Sequence, residues 1–290
     1  MLSLTFKIIH KFYLHKQLRS FQRLAAKCGM PRLIRLCDGN LSDHVNLATE
    51  CLKIGKLVAL PTDTLYGLAG LAQHKEAVSE IYRVKQRNQA KPLAVCVGHV
   101  DDIYQWAEVT VVQELLEDLL PGPVTLLFRR SAALNIDLNP GTDLIGIRIP
   151  DSEFICEVTK KCCAPLALTS ANISSQPSPL TVQEFESIWS DITCVFDGGK
   201  ITSSAFTKYS EVLLQKKNKK IVSSDSDNCL EPKFIFDCTN FSSQSTDWSV
   251  REGSTIVNLA EPGYYSVHRK GIALSSTLKI LHKYGLKPVE

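Results

Sequence analysis

The segment LIGIRIPDSEFICEVTKKCCAPLALTS, residues 144–170, decides the fold class. It begins with an apolar run of strand length, LIGIRIP, and ends with another, APLALTS, while residues 151–163 between them form a helix candidate. A strand, a helix and a second strand in such close succession are typical of α/β proteins. The segment therefore predicts a sheet with helices packed on it.

The same mixture of short apolar runs and helical segments extends over most of the chain. The further strand candidates are KLVALPTDT (56–64), PLAVCVG (92–98), VTLLFRR (124–130) and TCVFDGG (193–199). The further helix candidates are residues 43–57, 75–86, 112–120, 181–190 and the closing segment ALSSTLKILHKYGL (273–286). Because helices and strands mingle along the chain, we expect one α/β domain with a twisted, mixed, open sheet flanked by helices.

Charge is unevenly distributed along the 290 residues. Residues 1–37 carry eight of the 33 Lys and Arg residues and no acid, which leaves the rest of the chain with a net charge of −5. That balance argues against a general nucleic-acid-binding surface. The basic, acid-free segment 1–37 is typical of a mitochondrial transit peptide, with a solvated N-terminal arm as the alternative. Met30 follows Met1 as the second of two methionines, so initiation there would give a form without the presequence, and we expect mitochondrial and cytoplasmic forms.

Several classes of protein are disfavoured by motifs that the sequence lacks. No run of eighteen apolar residues occurs, so the sequence predicts no membrane-spanning helix. The ten cysteines include no C-x-x-C pair, and neither H-E-x-x-H, G-x-G-x-x-G nor G-x-S-x-G is present. We therefore expect mostly buried thiols and no metal held by a dedicated protein cage. Residues 200–250, with ten serines and the cluster KKNKK, predict a surface insertion with a weak hairpin from EVLLQ and KFIFDC.

Polar residues at strand ends and loops are the candidates for chemistry. Lys85, Arg87 and Lys91 lie within seven residues, where three cations suit a polyphosphate, although a solvated helix end is an equally simple explanation. Arg148 lies in an apolar strand, where either a structural salt bridge or a ligand carboxylate would compensate its charge. Ser170 and Asn172 follow another strand, where they could reach a ligand or cap a turn. Thr64, Tyr66, Ser254, Thr255 and Arg269 are similarly ambiguous when each is taken alone.

Taken together and in order, these residues belong to a series of motifs. The series is PTDTLYGL (61–68), K-x-R-x-x-x-K-P-L-A-V (85–95), PGPVTL (121–126), GIRIP (146–150), LTSAN (168–172), DGG (197–199), GSTIV (253–257) and R-x-G (269–271). It closely resembles the YrdC-like family of L-threonylcarbamoyladenylate synthases, in its short single-domain form. The resemblance covers residues 43–283 apart from the insertion at 200–250, and it implies a concave ligand site on the sheet.

The resemblance also implies an activity and a set of site residues. Members of this family combine L-threonine, bicarbonate and ATP into threonylcarbamoyl-AMP and pyrophosphate, with Mg²⁺ as the counterion of ATP. The residues implied to bind L-threonine are Thr64, Arg148, Ser170 and Ser254. The residues implied to surround ATP are Lys85, Arg87, Lys91, Asn172 and Arg269, of which Lys85, Arg87 and Lys91 are the expected catalytic cations. Departures from the family pattern occur at Asn88, Cys96, Leu180 and Lys270.

The implied partners follow from the same resemblance. A tRNA threonylcarbamoyl transferase, either a KEOPS-type complex or its mitochondrial counterpart, would pass the product's threonylcarbamoyl group to the adenosine beside the anticodon, with weak or no direct tRNA binding by this chain. Two alternatives stay open: a non-catalytic RNA-binding module of the same fold, and a carbamoyl-transfer role like that of hydrogenase-maturation proteins. The absence of C-x-x-C pairs argues against the second.

Overall fold

The computed structural model describes residues 32–202 and 251–289, in which twelve strands form one sheet. The strands are β1 (Arg32–Arg35), β2 (Val58–Pro61), β3 (Tyr66–Leu71), β4 (Ala94–Cys96), β5 (Ala107–Glu108), β6 (Val124–Arg130), β7 (Leu144–Arg148), β8 (Leu166–Ser170), β9 (Cys194–Asp197), β10 (Thr255–Asn258), β11 (Tyr264–Arg269) and β12 (Lys287–Pro288). The α-helices are α1 (Leu41–Lys53), α2 (Lys75–Val84), α3 (Ile103–Trp106), α4 (Gln113–Leu119), α5 (Glu153–Cys162) and α6 (Leu274–Lys283), and two 3₁₀ helices span Val100–Asp102 and Val182–Asp191.

The sheet is mixed, as predicted. Its strand order is β1-β9-β2-β3-β8-β4-β7-β6-β10-β11-β12, with β5 paired to β6. In the middle, β4 runs parallel to β7 and antiparallel to β8, while β6 is antiparallel to β7 and parallel to β10. The last third of the chain thus adds β10 beside β6 and β11 beside β10, so GSTIV lies next to PGPVTL and is separated from GIRIP by β6.

Helices cover the two faces of the sheet unequally. The helices α1 and α5 pack against each other and, with β2, β8 and β9, form one apolar cluster. The second and larger cluster contains the apolar residues of α2, α4 and α6 together with those of the central strands on the other face. The α1–α5 layer ends beside β4 and β7, and the candidate site begins at this border.

Several features of the fold differ from the sequence prediction, including the strands β1, β5, β10, β11 and β12, which the sequence analysis did not assign. The helix predicted over 181–190 is a 3₁₀ helix, Val182–Asp191, interrupted at Phe185, whose φ of −129° and ψ of 26° are not helical. The buried Phe185 ring packs on Tyr66 with 5.7 Å between the ring centroids, so core packing decides its backbone conformation. The sequence analysis also assigned no strand to Tyr66–Leu71, where two glycines lower the strand propensity and tertiary pairing with β2 and β8 overrides it.

The predicted basic segment and the predicted insertion fall mostly outside the described residues. Residues 1–31 and 203–250 include the amphipathic stretch, the EVLLQ and KFIFDC hairpin and the KKNKK cluster. Of the basic segment, Arg32–Arg35 form β1, which pairs in parallel with β9 at the edge of the sheet. In the two described ranges, no helix has the length and apolarity needed to cross a membrane.

Candidate active site

The centre of the sheet has one face that is partly open. Cα partners in neighbouring strands carry their side chains on the same face, so Arg148 of β7 shares a face with Cys96 of β4, and Gly146 shares it with Ala94. Cys96 is fully buried under the α1–α5 layer, whereas Ala94 is partly exposed although both its chain neighbours are buried. We call the region around Ala94, Gly146 and Arg148 the open face. Gly146 is buried, and a Cβ there would lie 3.1 Å from Leu127 Cδ2 and from Thr125 Cγ2, so the partly exposed Ala94 marks where this face is open.

Arg148 is fixed by the loop between β2 and β3. Its Nη2 donates to Asp63 Oδ1 and, at 3.0 Å, to Thr64 Oγ1. The loop is braced by Thr62, whose Oγ1 accepts from the backbone N–H groups of Thr64 at 3.0 Å and Leu65 at 3.1 Å. Arg148, Asp63 and Thr64 are all buried. The sequence left open whether a structural salt bridge or a ligand carboxylate compensates the buried charge of Arg148. The ion pair with Asp63 is such a salt bridge.

Lys85 joins the end of α2 to the segment that follows β8. It is 1% exposed, and its Nζ donates to Ser170 O and to Asn172 O, each at 2.5 Å. Asn172 in turn donates through Nδ2 to Gln176 O at 2.6 Å. Burial lowers the pKa of Lys85 to about 7, and the charge of Arg87 adds to this effect. The segment carrying Ser170 and Asn172 thus takes its position from the buried Lys85 side chain.

Arg87 and Lys91 lie in the bend between α2 and β4. The Arg87 guanidinium donates through Nε to Lys91 O at 3.0 Å and through Nη2 to Pro92 O at 2.9 Å, while the Lys91 side chain is exposed. The end of the bend is anchored by the buried Asn139, which donates to Leu93 O at 2.8 Å and accepts from Leu93 N at 2.7 Å. The bend therefore presents two cations on a backbone that buried groups hold in place.

Ser254 and Arg269 meet at the start of β10 and the end of β11. Arg269 donates through Nε to Ser254 O and through Nη2 to Ser254 Oγ, both at 2.9 Å. Ser254 Oγ lies 2.7 Å from Thr125 Oγ1 of β6. Since the register of β6 and β7 sets Thr125 across from Arg148, these three residues border the same open face.

Three guanidinium groups create a positive region over the open face. Desolvation lowers the pKa of Arg269, and the charges of Arg148 and Arg87 lower it further, so both of these groups lie within electrostatic range of Arg269. Within residues 32–202 and 251–289, Arg87 and Arg269 donate to carbonyl and hydroxyl oxygens and form no ion pair. Two guanidinium charges without carboxylate partners, beside one that has such a partner, are suited to a multiply charged anion.

Comparison with known proteins places this site in a family. The profile of the Sua5/YciO/YrdC family, described as "Telomere recombination", matches residues 50–221. A rat protein named threonylcarbamoyl-AMP synthase is 45% identical over 248 residues, which cover 85% of this chain and 74% of the rat protein. The chain belongs to the Sua5/YciO/YrdC family. A human protein of the same name is 44% identical over 248 residues, with the same coverage of both chains.

A solved structure supports the fold of this family member. The crystal structure of P. abyssi Sua5 complexed with L-threonine matches with a TM-score of 0.65 at 22% identity. The match covers 90% of this chain and 62% of the archaeal chain, so this chain spans about three-fifths of that longer protein. The predicted α/β fold with a twisted mixed sheet is thereby confirmed.

The predicted site residues come together in four groups. The groups are Thr64 with Arg148, Lys85 with Ser170 and Asn172, Arg87 with Lys91, and Ser254 with Arg269. The three guanidinium groups link them electrostatically, as does the effect of Arg87 on Lys85. Lys91 is the outlying member, because it contacts Arg87 through its backbone carbonyl while its ammonium group faces solvent. The roles toward L-threonine and ATP stay predictions.

The sequence analysis missed several residues that position this site. Asp63 pairs with Arg148, Thr125 contacts Ser254, and Asn139 anchors the 85–93 bend. Tyr66 was a candidate without a role: its hydroxyl donates to Gly199 O at 2.7 Å and accepts from Gly198 N at 3.0 Å, so it fixes the DGG segment. Asp63 alone left a signal in the sequence, since an acid inside the apolar LVALPTDTLYGL stretch requires a buried cation as partner.

The four departures from the family pattern have structural explanations. Asn88 Oδ1 accepts from Ala90 N at 2.9 Å and so stabilises the cationic bend from within. Cys96 is fully buried, and this burial raises the pKa of its thiol well above the usual value. Leu180 is 4% exposed and belongs to the core, while Lys270 is exposed. None of the four removes a charge from the open face.

Replacing Gly271 with alanine should disrupt the site through the backbone beside it. A Cβ at Gly271 would lie 2.5 Å from Gly253 O, Ser254 C and Thr255 N, and these backbone atoms are fixed by the sheet. We expect a loss of about 3 kcal/mol in the free energy of unfolding, measured by urea denaturation. Gly263→Ala is the matched control, since its φ is +80° with no atom within 4 Å of the added Cβ, and it should cost about 1–2 kcal/mol. Equal losses in the two variants would contradict the steric argument.

Proposed function

We propose that the chain catalyses the synthesis of threonylcarbamoyl-AMP from L-threonine, bicarbonate and ATP, with release of pyrophosphate. The observation that carries the proposal is the 45% identity, over 85% of this chain, to a protein named threonylcarbamoyl-AMP synthase. The open face adds a chemical argument, because it combines a buried arginine suited to a carboxylate with guanidinium groups that form no ion pair with any described residue and are suited to polyphosphate. The chain is accordingly a nucleotidyltransferase that acts in tRNA modification.

L-threonine would bind beside β7. The Arg148 guanidinium would receive its carboxylate, and the hydroxyl groups of Thr64, Ser170 and Ser254 would contact its polar groups. Thr64 is already bonded to Arg148, and Ser254 is held by Arg269, so both hydroxyls are oriented before any ligand arrives. The threonine complex of P. abyssi Sua5 shows that a protein of this fold binds the amino acid.

ATP would occupy the positive region next to it. Arg87, Lys91 and Arg269 would contact the phosphates, and Lys85 with Asn172 would form the adjacent wall. Mg²⁺ would arrive as the counterion of the nucleotide and neutralise the phosphate oxygens. The described residues include no group of three or more His, Cys, Asp or Glu side chains placed to bind a metal ion.

The reaction requires positioning and charge neutralisation. The deprotonated amine of threonine takes up the carboxyl unit of bicarbonate with loss of water, and a carbamate oxygen then attacks the α-phosphate of ATP as pyrophosphate leaves. An in-line displacement of this kind is accelerated by fixed orientation and by cations that stabilise the developing charge. Arg148 and the hydroxyl residues would supply the orientation, and Arg87 with its neighbouring cations would stabilise the departing pyrophosphate.

The product would be consumed by a tRNA threonylcarbamoyl transferase, of the KEOPS type or its mitochondrial counterpart.

Two compartments would follow from residues 1–29, with translation from Met1 giving a mitochondrial form and initiation at Met30 a cytoplasmic one. A full-length chain with a C-terminal fluorescent tag and the substitution Met30→Leu should then be found in mitochondria alone. An unchanged distribution of this variant would contradict the second start.

Pyrophosphate release by the purified full-length chain tests the proposed function. We expect release with ATP, Mg²⁺, bicarbonate and L-threonine, and loss of release when either threonine or bicarbonate is omitted. Serine in place of threonine serves as the control for side-chain recognition. Release that is independent of threonine, or no release from a folded sample, would contradict the proposal and favour the RNA-binding alternative.

A further inference from the structure

Asp63 has an acceptor atom that the fold leaves unused. Its side chain is 6% exposed and its Oδ1 accepts from Arg148 Nη2, but Oδ2 is buried without a hydrogen-bond partner among the described residues. Arg148 is in the same state, because its Nε is also buried and unpartnered within the described ranges. Among its buried atoms, the ion pair therefore has one donor, Arg148 Nε, and one acceptor, Asp63 Oδ2, that no described residue satisfies.

Unpartnered buried groups of this kind need a physical explanation. Each costs about 1–3 kcal/mol, and folded proteins retain few of them. The β2–β3 loop does not relieve the cost, because the bonds of Thr62 to Thr64 and Leu65 determine where Asp63 sits. Two such groups in one ion pair, on a strand that borders the partly exposed Ala94, indicate that a ligand supplies the missing partners.

The chemistry of the pair identifies the ligand class. Arg148 and Asp63 together carry no net charge, and their spare groups are one cationic donor and one anionic acceptor. An α-amino acid matches both, since it carries a carboxylate and an ammonium group on one carbon atom. A carboxylic acid without the amine would satisfy Arg148 and leave Asp63 facing an apolar or uncharged group.

We propose that Asp63 binds the α-ammonium group of the amino-acid substrate and that the Asp63–Arg148 pair restricts the site to α-amino acids. This inference rests on the proposed function and adds a specificity-determining residue to it. The alternative is a purely structural, bidentate salt bridge, in which a small side-chain rotation lets Arg148 Nε donate to Asp63 Oδ2. In that case, loss of Asp63 should weaken the binding of every ligand of Arg148 equally.

The test compares two ligands that differ in the amine alone. Binding of L-threonine and of 3-hydroxybutyrate, which has the same carboxylate and hydroxyl groups, is measured by calorimetry with the full-length protein. The wild-type protein should prefer L-threonine by about 100-fold. In Asp63→Asn, whose amide still offers an oxygen to Arg148, threonine binding should fall at least 30-fold while binding of 3-hydroxybutyrate changes less than threefold. Asp101→Asn, at an exposed acid paired with His99, should leave both affinities unchanged.

The outcomes separate this inference from the proposed function. Equal weakening of both ligands in Asp63→Asn, or an unchanged preference for threonine, overturns the role of Asp63 and leaves the synthase intact. Binding of 3-hydroxybutyrate to the wild-type protein as tightly as threonine also overturns the role of Asp63. This comparison uses the wild-type protein alone and does not depend on the folding of a variant. Failure of the wild-type protein to bind either ligand overturns the proposed function itself.

Discussion

Replacing Arg87 with alanine is expected to lower the rate of pyrophosphate release by about 10²- to 10³-fold. The substitution removes a preorganised donor from the place where negative charge develops on the departing pyrophosphate, and losses of this size follow removal of such a donor. Arg87 also donates to the carbonyls of Lys91 and Pro92, so its loss should cost about 1–2 kcal/mol in stability as well. Turnover at saturating ATP, together with urea denaturation, separates the two effects.

Arg83→Ala is the matched control for this variant. Arg83 lies four residues earlier on the exposed side of α2, where it pairs with Glu80 and Asp191. Its loss should change stability by about 1 kcal/mol or less and leave turnover unaffected. Arg87→Lys should have an intermediate rate, because it keeps the charge and loses the planar fork. Wild-type turnover in Arg87→Ala would show that the guanidinium has no part in the chemical step.

Replacing Lys85 with methionine is expected to reduce activity by about 100-fold or more while changing stability little. The apolar side chain leaves the carbonyls of Ser170 and Asn172 without their donor, and a displacement of about 1 Å at a site can cost that much activity. Stability changes by about 2 kcal/mol or less, because the lost hydrogen bonds are offset by removal of a buried charge. Lys160→Met, at an exposed lysine paired with Glu157, should leave activity unchanged.

Lys85 also predicts opposite pH trends for activity and stability. Its pKa is about 7 in the folded chain, below the value of 10.5 for an ordinary lysine, so the unfolded chain binds the additional proton between these values. The contribution of Lys85 to stability therefore rises as pH increases from about 7 to 10.5. Activity at low ATP should fall over the same range, since the neutral amine has fewer protons to donate to Ser170 and Asn172. In Lys85→Met, both pH dependences should be absent, and an unchanged profile would contradict the assignment.

The fold was largely accessible to sequence reasoning because its strands are short apolar runs separated by clear turn signals. LIGIRIP and APLALTS form β7 and β8, and the segment 151–163 contains α5. Elements that depend on tertiary contacts were harder to predict. The sequence of β3 contains two glycines and is a strand because β2 and β8 pair with it, and the 3₁₀ helix at 182–191 is interrupted because Phe185 must reach the core.

For the site, motifs identified which residues matter but not how they contact one another. Arg148 was ambiguous between a structural ion pair and a ligand, and the structure shows that it has an internal carboxylate partner as well as a buried Nε without a partner among the described residues. Lys85 was predicted as a nucleotide contact, yet its ammonium group is directed at backbone carbonyls of the LTSAN segment. Such contacts join residues that are 85 positions apart or more, and no local pattern encodes them.

The contact between Thr125 and Ser254 has a consequence for how the enzyme is made. These residues are 129 positions apart, and the entropy cost of closing so long a loop grows only slowly with its length. Pairing between such distant segments is nevertheless slow and late in folding. During translation, a chain that has emerged as far as β9 can form most of the sheet but lacks Ser254 and Arg269. The positive region is thus completed last, after β10 has paired with β6 and β11 has paired with β10.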